Sequence, residues 1–319
     1  MKFNNGYNNI KVELKDWAGN DLARQVYNFG RLSHDFIDPL PEQYDSSNPE
    51  CTKLIDKIIE GTTLPKFALQ GHRINFAIYK ISRICLAQIT RDPAFFASAS
   101  TGVFPLTQEF NMPMSIMKDK SLMSKIEKAQ QILEDAYIEA CEKEIPSIEA
   151  RYIGLHSQVI SLTASYVPSD FVRACYSRTS SNFCDECNYV YRLMYHELRK
   201  AIDNLTEPNS IKLWNWLIKE SKCIYDGIYA RERLFNSDFT YDKTYKPTKK
   251  ALNDWRRSGW KLELERMLKE QPYLLTEKEK AAISQWQKDE KEGILQTTYD
   301  GNERDVLVNA IKEMEYYKK

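Results

Sequence analysis

No run approaching the ~20 apolar residues of a membrane span occurs in the chain. Its polar start, MKFNNGYNNIKVELK, has no signal-peptide core, so the expectation is a cytoplasmic protein with reduced thiols. A net charge of one sign is missing too. The 45 basic residues balance 45 acidic ones, which argues against nucleic acid or a membrane surface as partner and makes any anion site a local one. The seven cysteines form no even framework. Cys184 and Cys187 make a CxxC, but no second pair and no His-x-x-x-His stands near to complete four ligands, so no metal is predicted. The glycine fingerprint of dinucleotide folds and the phosphate loop of nucleotide triphosphatases are also absent.

What is present centres on the stretch from His72 to Phe110, HRINFAIYKISRICLAQITRDPAFFASASTGVFPLTQEF. Ile78, Ile81, Ile84, Cys85 and Ile89 recur at roughly helical spacing, which reads as a helix or a strand running into a helix. Arg83, Gln88 and Arg91 interrupt it. On a helix Arg83 and Arg91 lie two turns apart on one face, with Gln88 a turn before Arg91. An arginine cannot shed its charge, so so apolar a segment must supply an anion, from the protein or from a ligand. For Arg83 the two readings are a buried pair with Asp92 or another carboxylate, and a ligand contact. Asp92-Pro93 ends the segment, because the residue before proline is pushed out of helical dihedrals. The small, hydroxyl-rich Ser98-Ala99-Ser100-Thr101-Gly102 then offers backbone amides that can approach a phosphate.

Around this stretch the pattern predicts a strand over Ile10 to Leu14 and an amphipathic helix over Asp21 to Leu32, with Leu22, Val26 and Phe29 inward. Asp35 to Pro49 reads as loop and Cys51 to Ile59 as a short helix. From Ser121 to Glu144 a long helix carries the stripe Leu122, Ile126, Ala129, Leu133, Ala136 and Ala140. Gln158 to Tyr166 alternates as a strand, Pro168 opens a helix with Phe171, Val172, Cys175 and Tyr176 inward, and Asn182 to Ala201 is a further helix bearing Glu186, Tyr189, Leu193 and Glu197. Cys85 and Cys175 read as core. The class is α+β, a small mixed sheet packed with helices. Beyond Thr206 come helices at Ile211 to Tyr225, Leu262 to Lys269, Glu277 to Gln287 and Glu303 to Tyr317, with five of the six tryptophans. This divides the chain into a main domain, 1–205, and a helical C-terminal extension, 206–319.

These segments resemble the flavin-dependent thymidylate synthases, also called thymidylate synthase complementing proteins. The local match is Phe76-Ala77-Ile78-x-x-Ile81-Ser82-Arg83-x-Cys85-x-x-Gln88-x-x-Arg91, which looks like the segment leading into the family's Arg-His-Arg-x-x-Ser-x-Asn-Glu-x-Ser-x-Arg-Tyr signature. A second match runs from Ala150-Arg151 to Arg178, and the likeness covers about residues 10 to 205. The resemblance implies a homotetramer that transfers a one-carbon unit from methylenetetrahydrofolate to C5 of dUMP, with FAD as cofactor and NADPH as reductant. It implies that Gln88, Arg91, Thr101, Gly102, Arg151 and Arg178 hold the deoxypyrimidine monophosphate. Arg178 would face the pyrimidine's carbonyl edge, where charge develops as C5 attacks, and is the catalytic candidate. His72, Arg83 and Ser98 are its candidate flavin contacts.

The chain departs from the signature mainly on the flavin side. The His and Arg after Arg91 become Asp92 and Pro93, the Ser becomes Phe96, the Asn becomes Ser98, the Glu becomes Ala99, and the last arginine falls on Val103. Replacing an arginine by proline deletes a charge-assisted contact worth roughly 1.5–3 kcal/mol. A hydroxymethylase of deoxypyrimidine nucleotides, as used for modified phage DNA, is therefore the second enzymatic reading. A non-catalytic nucleotide-binding or assembly protein on the same scaffold is the third.

Overall fold

A computed structural model of the protein describes residues 2–32, 44–60, 71–98, 109–178, 185–220 and 260–275, and individual positions between 277 and 292. Strands β1 (Lys2–Asn5) and β2 (Lys11–Trp17) lead to helices α1 (Leu22–Leu32) and α2 (Pro49–Ile59). Then come β3 (Ile74–Ser82), α3 (Arg83–Ile89), β4 (Ala94–Ser98) and β5 (Glu109–Met112). Helices α4 (Met114–Met117), α5 (Lys120–Glu142) and α6 (Ser147–Ala150) precede β6 (Val159–Tyr166). The described chain closes with α7 (Pro168–Arg178), α8 (Asp185–Ile202), α9 (Pro208–Glu220) and α10 (Trp260–Glu270). The class is α+β as expected. An antiparallel sheet of order β2-β3-β6-β4 stands beside a parallel β1-β5 pair, with α8 packed on β2 and β3.

Of the two readings of the stretch around Ile78, the structure has the strand running into a helix, and a bulge explains why the strand part shows helical spacing. Between Ile78 and Ile81 three steps on β3 match two on β6, from Leu162 to Ile160. One extra residue brings Ile78 and Ile81 back to the same face three positions apart, which mimics a helix. Lys80 takes φ +61 there, and its N–H donates to Ser161 Oγ at 3.3 Å. The helix proper begins only at Arg83, where Ser82 Oγ accepts the Cys85 N–H at 3.1 Å as an N-cap. The sequence reading assigns no strand at β4 and places its last residue, Ser98, at the start of a loop. Strand β4 pairs along β6 from Ala94 opposite Tyr166 to Ser98 opposite Leu162.

Two inward assignments differ from expectation. Phe29 is 47% exposed, and on α5 the buried positions are Met123, Gln130 and Ala140, while Leu122 and Ala129 face out. Cys85 and Cys175 are fully buried. One hydrophobic cluster runs from Tyr7 and Val12 through Phe76, Leu162, Phe171 and Tyr191 to Leu213, Trp214, Met267 and Leu275. Trp214 of α9 packs tilted against Trp17, ring centres 4.8 Å apart, and donates to the Gly19 carbonyl at 3.1 Å, so the core continues across position 205. The sequence-predicted helix at Glu303 to Tyr317 lies outside the described residues. No described helix is long and apolar enough to cross a membrane.

Candidate nucleotide site

The site is built on the short α3 and the turn behind it. Cys85 and Ile89 anchor α3 in the core, leaving Gln88 half-buried and Arg83 and Arg91 exposed. The turn after α3 is closed by the Arg91 and Asp92 N–H groups, which donate to the Gln88 and Ile89 carbonyls at 3.4 and 3.0 Å. Pro93 then releases the chain into β4.

Asp92 does not pair with Arg83, as one sequence reading had it, but with Arg178, 86 residues away at the end of α7. Arg178 Nε lies 2.9 Å from Asp92 Oδ1 and 3.1 Å from Oδ2, and Nη2 lies 2.6 Å from Oδ1. The two side chains are only 8% and 6% exposed, so this is a two-pronged ion pair taken almost wholly out of water. Burial by itself would lower the Arg178 pKa, but the hydrogen bonds and charge of Asp92 outweigh it and raise the value.

Two phenols complete the cluster. Tyr191 of α8 donates to Asp92 Oδ2, and its oxygen lies 2.7 Å from the hydroxyl of Tyr166, the last residue of β6. Since an ionised carboxylate can only accept, Tyr191 spends its proton on Asp92 and must accept from Tyr166. Donation therefore runs from Tyr166 to Tyr191 to Asp92. Burial above all, with the Asp92 charge adding to it, pushes both phenols well above their ordinary values, so both stay protonated donors. Asp92, which sequence reading offered as a partner for Arg83, and the unnoticed Tyr166 and Tyr191 thus organise the cluster. The available signal was three polar groups on otherwise apolar inner faces.

The other anticipated residues are placed separately. Arg151 is half-buried in a 3-10 turn, Arg151–Ile153, packed against α5, where its charge acts on the Tyr137 phenol. The segment that bears Arg91 thus meets Arg178 through Asp92, whereas the contacts that place Arg151 belong to the α5 corner. Thr101 and Gly102 lie outside the described residues, as does Val103. Ser98 ends β4, and its side chain is likewise outside the description.

The flavin candidates do not converge within one chain. His72 is buried ahead of β3, edge-on to Phe29 at 5.9 Å, while exposed Arg83 sits beyond the other end of that strand. At the usual rise the two are roughly 30 Å apart. Asp92 gives its carboxylate to Arg178 and Tyr191, and Pro93 has no N–H to offer. Within one chain, therefore, these residues make no flavin site. Cys187 is buried in α8, Cys184 lies outside the described residues, and among the described residues no cluster of three His, Cys, Asp or Glu could hold a metal ion.

A second polar knot steadies α3 from below. Buried Glu186 on α8 accepts the Ser82 N–H at 2.6 Å and the Ser82 hydroxyl, and accepts Asn111 Nδ2 at 2.7 Å. Asn111 also donates to the carbonyl of bulged Lys80 at 2.7 Å, and its Oδ1 accepts from Asn4 and Asn9 at 3.2 and 3.0 Å.

No protein-family model matches the chain, and no curated protein does. Among solved structures, the fold is shared with PolB from Streptomyces cacaoi, a UMP/dUMP methylase. The complex of PolB with 5-Br dUMP aligns at a TM-score of 0.50 with 16% identity, covering 63% of this chain and 93% of that one. The complex with 5-Br UMP aligns at 0.50 with 14% identity, covering 68% and 97%. At such identity the likeness establishes the fold alone, thymidylate synthase complementing protein-like.

Proposed function

We propose that the protein is a transferase acting at C5 of a deoxypyrimidine monophosphate, with dUMP as substrate and methylenetetrahydrofolate as one-carbon donor. What carries the reading is the meeting of two arginine-bearing segments, the turn at 91–92 and the end of α7, on a fold shared with a methylase solved with 5-Br dUMP. In this reading Arg91 and Arg151 clamp the phosphate, with Gln88 and the Thr101-Gly102 amides as further donors. Arg178, held by Asp92, directs its guanidinium at the pyrimidine's carbonyl edge. Copies of the chain associate, so that Arg151 of one subunit can join Arg91 and Arg178 of another.

FAD reduced by NADPH is the cofactor set of the family that the sequence resembles. Because the candidate flavin residues do not converge within one chain, hydroxymethylation, which needs no final reduction, is the second reading. The engagement of Asp92 with Arg178 favours it.

The test is incubation of the full-length protein with dUMP or dCMP and methylenetetrahydrofolate, with and without FAD and NADPH, followed by mass analysis of the nucleotide. The expected result is a C5-modified deoxypyrimidine monophosphate, methylated if flavin is used and hydroxymethylated if not. Nucleotide binding without any product would leave a non-catalytic binding protein. Absence of binding would remove the nucleotide reading.

A further inference from the structure

We infer that Asp92, by neutralising Arg178, makes the pyrimidine end of the site selective for an uncharged base. The inference rests on the nucleotide reading above and adds a specificity determinant to it. A lone buried guanidinium would favour a pyrimidine that has lost its N3 proton, because opposite charges attract strongly where water is excluded. Here the cation never stands alone. Asp92 takes Nε and Nη2 of Arg178, both side chains are less than a tenth exposed, and Tyr191 holds Oδ2 from the other side, so the pair presents a neutral unit. It gives no net charge to reward an anionic ring. The family that the sequence resembles has histidine at the Asp92 position, so this neutralisation belongs to this chain.

Among the described residues, the titratable groups around the pair are Tyr166 on β6, Cys175 on α7, and Cys187 and Tyr191 on α8. Their own ionisation would complicate a simple pH profile. A ratio of two ligands removes it. Bromine at C5 withdraws electrons and lowers the N3 pKa, so 5-Br dUMP ionises at a lower pH than dUMP, while the protein titrates equally toward both.

The experiment measures the affinity of full-length protein for 5-Br dUMP and for dUMP by calorimetry, from about pH 7, above the phosphate's second ionisation near roughly 6, to about pH 9.5. For the unaltered chain, the affinity for 5-Br dUMP relative to dUMP falls as pH rises through the N3 pKa of the bromo compound, approaching about tenfold per pH unit. In Asp92→Asn the exposed charge of Arg178 accepts the anion, and the ratio stays level or rises. A level or rising ratio in the unaltered chain overturns the inference, and this arm decides it even if Asp92→Asn does not fold. An equal fall in both proteins also overturns it, since Asp92 would not be the cause. Failure of the unaltered chain to bind either nucleotide is a different result: it defeats the nucleotide reading, and this inference with it.

Discussion

A guanidinium and a carboxylate removed from water together are each costly alone, and their attraction repays that cost only when the geometry is good. Arg178 and Asp92 meet that condition with three nitrogen–oxygen contacts of 2.6 to 3.1 Å, and Tyr191 satisfies the remaining side of the carboxylate. Removing one partner strands the other. Asp92→Ala is therefore expected to destabilise the fold by about 3–5 kcal/mol in chemical denaturation, whereas replacing both residues by apolar ones of similar size recovers most of the loss. A single-variant loss under about 1 kcal/mol would show that water reaches the pair. At this scale the sequence was half legible: Arg91 and Arg178 were found from their motifs, but the partner of Arg178 was not. No local spacing links two residues 86 apart.

At the scale of elements, α3 has seven residues and depends on its ends. Its N-cap is Ser82, whose hydroxyl accepts the Cys85 N–H while donating to Glu186, so a carboxylate on α8 fixes the rotamer that starts the helix. The helix then carries Gln88 and ends in the turn that bears Arg91 and Asp92. In each of three contacts Glu186 accepts a proton: from Ser82 N–H, Ser82 O–H and Asn111 Nδ2. Glu186→Gln would turn an NH2 group toward one of these donors. The expected cost is about 2–3 kcal/mol in thermal or chemical unfolding, accompanied by weaker nucleotide binding because the α3 turn loosens. Stability within about 0.5 kcal/mol of the unaltered protein would contradict this chain of support. The sequence places Glu186 on a helix, yet its task could not be read there, because the bulge at Lys80, whose carbonyl holds Asn111, exists only once β3 pairs with β6.

At the scale of the whole molecule, α5 stands out. Its 23 residues give a length of roughly 34 Å, and its packing partners are the short α4, α6 and the 3-10 turn at Arg151. Ile132 and Ile138 remain 67% and 55% exposed on it, and Phe95 is 72% exposed on the edge strand β4. Apolar surface of this kind on a helix bearing its own amphipathic stripe fits association between copies of the chain. The protein is expected to be a homo-oligomer by light scattering, and Ile132→Glu combined with Ile138→Glu is expected to weaken that association at least about tenfold. A monomer at every concentration would remove the shared site that brings Arg151 to Arg91 and Arg178. The tryptophans of the C-terminal third required cover on sequence grounds, and Trp214 finds it in the main core against Trp17.

The sequence by itself determined the class of fold, most helix and strand positions, the buried cysteines and the two arginine-bearing segments, because period, capping residues and proline act within a few positions of where they stand. Only the tertiary structure decided that Ile78 and Ile81 share a strand face through a bulge, that 94–98 forms an edge strand, and that Arg178 is neutralised by Asp92 and two relayed phenols. Those outcomes depend on pairings between distant residues in a medium from which water has been excluded, and a linear pattern carries no record of either.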